Sequence, residues 1–129
     1  MMQRASAWLA VSFGVFLAIA EAVRNWGDWQ WWPFWLVDYI AAALLIAGGT
    51  LTLRRRPRGA VWLAGSWGFA TAMVYMSFWS HISQIDQPAE GNIPQVPLTT
   101  VIGILWLLTI VGFLLALAPP TRGAASVDP

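Results

Sequence analysis

The chain has no cysteine, no lysine and a single histidine. Without cysteine there are no disulfides, thiolate metal sites, iron–sulfur clusters or cysteine nucleophiles. One histidine excludes a bis-histidine haem and leaves few donor sets for zinc. Charge is scarce as well: 10% of the 129 residues are charged, against roughly 25% in a soluble domain. A net charge of +1 gives no electrostatic reason to bind nucleic acid. No phosphate-binding Gly-rich loop, dinucleotide fingerprint, H-E-x-x-H or G-x-S-x-G motif occurs. No catalytic residue, metal site or cofactor is therefore expected. What the chain does have is apolar bulk: 58% apolar residues, 14% aromatic, and 10 tryptophans. Its exclusive use of arginine over lysine fits a GC-rich bacterial coding sequence.

Four stretches are long enough to cross a membrane as helices. Residues 59–80 and 98–118 carry no charge, while 5–23 contains Glu21 and 34–53 contains Asp38, each near one end. A helix needs about 20 residues to span the hydrocarbon. Strands are excluded, because a barrel strand is about 10 residues long and alternates. Pro33 and Pro97 suit a first helical turn, and Pro119-Pro120 stops the last one. Short connections make sequential helices antiparallel neighbours. The expected fold is an all-α membrane protein: one domain over 1–120, four transmembrane helices in an antiparallel up-and-down bundle, then a short polar tail over 121–129. The first stretch also has signal-peptide features, with Ala18-Ile19-Ala20 as a cleavage site. Its length and its internal Trp8, Ser12 and Gly14 favour a span.

Arginine sets the orientation. Arg4, Arg54, Arg55, Arg56, Arg58 and Arg122 fall on one side of this arrangement and only Arg24 on the other. By the positive-inside rule both termini and the 54–58 loop are expected in the cytoplasm, with the chain in a bacterial inner membrane. Arg54, Arg55, Arg56 and Arg58 are the topology anchor and also attract anionic lipid. Five of the six acids (Glu21, Asp28, Asp38, Asp86, Glu90) lie at or beyond the opposite boundary.

Small residues mark helix contacts in lipid. They recur at steps of four in the first span (Ser6, Ala10, Gly14, Ala18, Ala22) and in the third (Ala60, Ala64, Gly68, Ala72). The first and third helices are expected to meet along these ridges, directly or through the second, whose own stripe holds Ala42 and Gly49. The fourth span is apolar all round and is expected to be the most lipid-exposed. At about 100° per residue, Glu21 falls on the small ridge of its helix, Asp38 on the stripe of Ala42 and Gly49, and Thr71 and Tyr75 within the arc of Ala60, Ala64 and Gly68. Glu21, Asp38 and Tyr75 sit roughly 5–9 Å inside the outer boundary. Intramembrane acids facing a bundle interior mark functional sites. A shallow outward-facing pocket of Glu21, Asp38, Thr71, Tyr75 and His81 is therefore expected, holding a ligand or a shared proton. Two poorly hydrated carboxyls disfavour a second negative charge and titrate as a pair. The plainer alternative is that both acids snorkel to water, with Glu21 pairing to Arg24 on the next turn.

Trp26, Trp29, Trp31, Trp32 and Trp35 fall within ten positions. Tryptophan favours the membrane interface, and a belt is the plain reading. The functional alternative is an aromatic cage of Trp29, Trp32 and Trp35 that holds a quaternary ammonium by cation–π attraction. His81 closes the third span as an interfacial cap or as a proton relay beside the acids.

In size, helix count and a Glu in the first helix the chain resembles the small multidrug-resistance transporters. The resemblance ends there: Glu21 lies near the helix end instead of its middle, and the arginine bias opposes the dual topology of that family. Three functional readings follow. The first is a non-enzymatic accessory or oligomeric bundle, with membrane lipids, a second copy or a larger membrane complex as partners. The second binds or transports a small cation or lipid headgroup at the outer pocket. The third, a membrane redox or quinone-type enzyme, fits worst without cysteine or a histidine pair.

Overall fold

The computed structural model describes residues 1–24, 26, 32–87 and 94–119. Among these the chain is all-helical, with α1 at Met2–Arg24, α2 at Trp32–Leu53, α3 at Gly59–Ser83 and α4 at Gln95–Leu117. Proline sits where expected. Pro33 and Pro97 lie in the first turns of α2 and α4, where an amide has no intrahelical acceptor to lose. The tail over 121–129, with Arg122 and Asp128, lies outside the described residues, as do Asp28, Trp29, Trp31 and Glu90.

Among the described residues, three helices are long and apolar enough to cross a membrane: α1, α2 from Trp35 onward, and α4. These are the helical segments of a small membrane protein. The stretch 59–80, expected as an equal fourth span, does not reach the same apolarity. Helix α3 is the longest, at 25 residues, but Ser66, Thr71, Tyr75, Ser77, Ser80 and three tryptophans dilute its hydropathy.

Each helix packs on its neighbours in sequence, and α4 closes back on α1, whereas α1 and α3 touch only sparsely. The α1–α2 seam is built on small residues, as expected. A Cβ on Gly49 would lie 2.6 Å from the Ala7 carbonyl oxygen, and one on Gly14 would lie 2.8 Å from the Ala42 carbonyl oxygen. Backbones that close tolerate only glycine at the contact. On the next seam Gly48 lies against Leu63 and Ser66, and the Ser66 hydroxyl is 2.7 Å from the Leu44 carbonyl oxygen of α2.

The small ridge of α3 is not its packed face, which corrects the expectation of contact along Ala64, Gly68 and Ala72. The buried residues of α3 are Gly59, Leu63, Ser66, Trp67, Ala70 and Val74. Gly65 has nothing within 4 Å of where a side chain would start, and Gly68 has only the Phe113 ring at 3.8 Å. The reason is volume. Trp67 is fully buried, and the room for it comes from small residues on other helices, among them Ala7 and Ala10 of α1 and Ala116 of α4. A Cβ at Gly112 would lie 2.5 Å from the Trp67 ring. The indole is also hydrogen-bonded: Trp67 Nε1 donates to Ser6 Oγ at 2.9 Å, and Ser6 donates to the Gly112 carbonyl at 2.8 Å. One side chain thus joins three helices and fills the middle of the molecule.

The α2–α3 turn is a helix-ending motif with an unusual residue in it. The Arg55 amide donates to the Thr52 carbonyl and the Arg56 amide to the Leu51 carbonyl, both at 3.0 Å. This is the bond pair of a Schellman cap, whose left-handed position normally holds glycine. Here it holds Arg55, at φ 52°, and Arg58 follows at φ 63°. A non-glycine residue there costs roughly 1–2 kcal/mol.

Candidate functional site

The charged side chains collect at the two ends of the bundle, and the ends differ in sign. At one end α1 contributes Glu21 and Arg24, α2 contributes Asp38, α3 contributes His81 and α4 contributes Gln95. Glu21 is 8% exposed, held in place because its helix face is the one that packs. Asp38 is partly buried and lies within electrostatic reach of both Glu21 and Arg24. Arg24 also acts electrostatically on His81. Gln95 Nε2 lies 3.3 Å from His81 Nδ1 and donates to it when that nitrogen carries no proton. Two carboxyls and one guanidinium leave an excess of negative charge when both acids are ionised.

Thr71 and Tyr75 are placed differently. The Thr71 hydroxyl donates to the Trp67 carbonyl of its own helix at 2.8 Å. Tyr75 is 43% exposed, with its ring 5.4 Å from Trp106 of α4 and 6.2 Å from Trp79. Phe78 stacks on Trp106 at 5.7 Å, across Gly103. These rings form an aromatic cluster on the α3–α4 side. Of the proposed cage, Trp32 is exposed and Trp35 meets Tyr39 edge-on at 5.7 Å, while Trp29 lies outside the described residues. Sequence reasoning missed Gln95. Its signal was available: a polar residue directly ahead of an uncharged apolar run, at the same level as His81.

Toward the other end, a shallow apolar groove runs along the outside between α3 and α4. Its floor is Ala60, Ala64, Gly65 and Gly68, and its far wall is Phe113 and Leu117. At that end Arg4, Thr52, Arg55 and Pro119 line a common cavity. This puts the start of α1, the α2–α3 turn and the end of α4 together. Chemically, then, the molecule offers an acidic end, a basic end and a small-residue groove, with a sealed centre between them. No protein-family model, curated protein or solved structure matches the chain.

Proposed function

We propose that the protein is a small non-enzymatic subunit of a bacterial inner membrane, and that it self-associates through the α3–α4 groove. Its four helices cross the bilayer as an antiparallel up-and-down bundle with both termini in the cytoplasm. The opposed seam pairings, Ala7 with Gly49 and Gly14 with Ala42, support the alternation, and the arginine distribution supports the orientation. In this reading α3 crosses with the others despite its polar residues, because Ser66 and Thr71 donate to backbone carbonyls and the Trp67 indole is buried and bonded to Ser6.

The observation that carries the proposal is the uncovered small-residue face of α3. In lipid such a face lets a second backbone approach closely, and α1 and α2 use theirs in that way inside the protomer. The face on α3 is as regular but only partly covered within the chain, with Gly65 open. The absence of cysteine makes the test clean. Gly65→Cys adds a thiol where nothing lies within 4 Å, and Ile104→Cys adds one at a position on α4 that is 60% exposed. In nanodiscs under mild oxidation, Gly65→Cys is expected to form disulfide dimers and Ile104→Cys is not. Equal crosslinking of the two, or none from either, refutes association through this groove.

A second reading is favoured by the burial of Glu21 beside Asp38: the acidic end binds a small organic cation or a cationic lipid headgroup. The carboxyls supply the charge, and Trp32 and Trp35 supply aromatic faces nearby in sequence.

A further inference from the structure

We propose that the cavity at the basic end binds the phosphate of an anionic phospholipid headgroup. The cavity measures about 210 Å³. That is below the roughly 300 Å³ at which pockets for drug-sized ligands begin, and it suits one headgroup phosphate. Two guanidinium-bearing residues from separate segments line it, Arg4 at the start of α1 and Arg55 in the α2–α3 turn, and no carboxylate is among the lining residues within the described part of the chain. A guanidinium matches phosphate oxygens in paired hydrogen bonds. The positive end of the α1 dipole points the same way.

Several of the carbonyls that would repel a phosphate here are already occupied. Helix α4 ends at the cavity, and its last carbonyls would face an anion. Gln3 Nε2 instead donates to the Ala118 carbonyl at 2.9 Å and reaches the Ala116 carbonyl at 3.4 Å. The C-terminal end of α2 is likewise capped, with the Thr52 and Leu51 carbonyls bonded to the Arg55 and Arg56 amides. The residue at the strained position is itself informative. Glycine would hold the turn more cheaply than Arg55, and strain kept at such a place points to a use for the side chain. A lipid fits better than free phosphate because the cavity is also walled by Met1, Met2 and Pro119. Leu114 and Leu117, within two turns of Pro119, are 60% and 57% exposed, offering a surface for acyl chains. The site does not depend on self-association through the groove, and a monomer that holds the lipid satisfies it.

The test uses the full chain in neutral detergent, titrated with phosphatidylglycerol or phosphatidylcholine and read by native mass spectrometry. One phosphatidylglycerol is expected to stay bound at least about tenfold more tightly than phosphatidylcholine, whose phosphate carries a choline cation that the two guanidiniums repel. Arg55→Gly is expected to lose that preference by about tenfold while its thermal midpoint rises, so binding and folding move in opposite directions. Arg4→Gln should lose it too. Arg54→Gln, which removes the same charge from outside the cavity, should change it by no more than about twofold. Equal retention of the two lipids overturns the proposal, and so does an Arg54→Gln loss as large as that of Arg55→Gly, which means diffuse attraction. In phosphatidylcholine nanodiscs, inorganic phosphate binding as tightly as phosphatidylglycerol and abolished by Arg55→Gly would overturn the lipid assignment in favour of a soluble anion.

Discussion

Tryptophan in a membrane protein usually sits at headgroup depth, where its ring is apolar and its N–H is wet. Trp67 breaks that habit near the middle of α3, and the cost of an indole N–H in a dry place is met by Ser6. Such a bond is worth about 0.6 kcal/mol on average in a membrane protein. Its larger effect is positional, because it sets the rotation of α3 against α1 and α4. The second residue-scale feature is Glu21. If the acidic end takes a cation, choline added to the protein in nanodiscs at neutral pH should quench tryptophan fluorescence, and Glu21→Gln should weaken the response by about tenfold. No response from the wild type, or an unchanged one from Glu21→Gln, overturns the cation-binding reading.

At the scale of helices, the same sequence pattern does two different things. The ridges of α1 and α3 both repeat small residues every fourth position, yet one is closed against α2 and the other is open. Gly14→Ala should therefore cost about 1–3 kcal/mol by overpacking, since its methyl meets the Ala42 carbonyl and the Ile46 side chain within 3 Å. Gly68→Ala should leave the stability of the protomer unchanged. Circular dichroism during unfolding in mixed micelles measures both. A loss at Gly68 as large as at Gly14 would mean that the α3 ridge is packed inside the protomer after all. Helix α4 presents the complementary case. Its lipid side is Val101, Ile104, Leu107, Val111 and Leu114, each at least 48% exposed. Its inner side is mostly small or polar, with Thr99, Thr109, Gly112 and Ala116 buried beside Ile102. It is the least buried of the three strongly apolar helices, as the run of apolar residues all round it led one to expect.

Over the whole molecule the charges are polarised along the bundle. Arg4 and Arg55 share one end, and Glu21 and Asp38 share the other. In the proposed orientation the basic end faces the cytoplasm, where anionic lipid strengthens its hold. Reporter fusions after Arg58 and after Gly91 should give opposite signals, cytoplasmic for the first and external for the second. Identical signals would remove α3 as a span. Neutralising Arg54, Arg55, Arg56 and Arg58 together should partly scramble the orientation, because the charge asymmetry that sets it is then largely gone.

The helices were legible from the chain alone, since length, uninterrupted apolarity and proline punctuation act locally and need no knowledge of neighbours. That Gly14, Ala42 and Gly49 lie at helix contacts was legible for a related reason, their small size, but the first ridge was set against the third helix, directly or through the second, and it is α2 that closes on it. Counting residues from the helix ends put Glu21, Asp38 and Tyr75 at one depth; the two acids lie within electrostatic reach of each other, while the Tyr75 ring packs with Trp79 and Trp106. The face that α3 buries was decided only by tertiary packing. Angular periodicity identifies a stripe but not its occupant. The rotation of α3 was settled by one large side chain, Trp67, finding the space left by Ala7, Ala10, Gly112 and Ala116 on other helices. The meeting of Arg4, Arg55 and Pro119 around one cavity was likewise invisible in sequence. It depends on the helices returning three distant segments to one end, a long-range closure that no local pattern encodes.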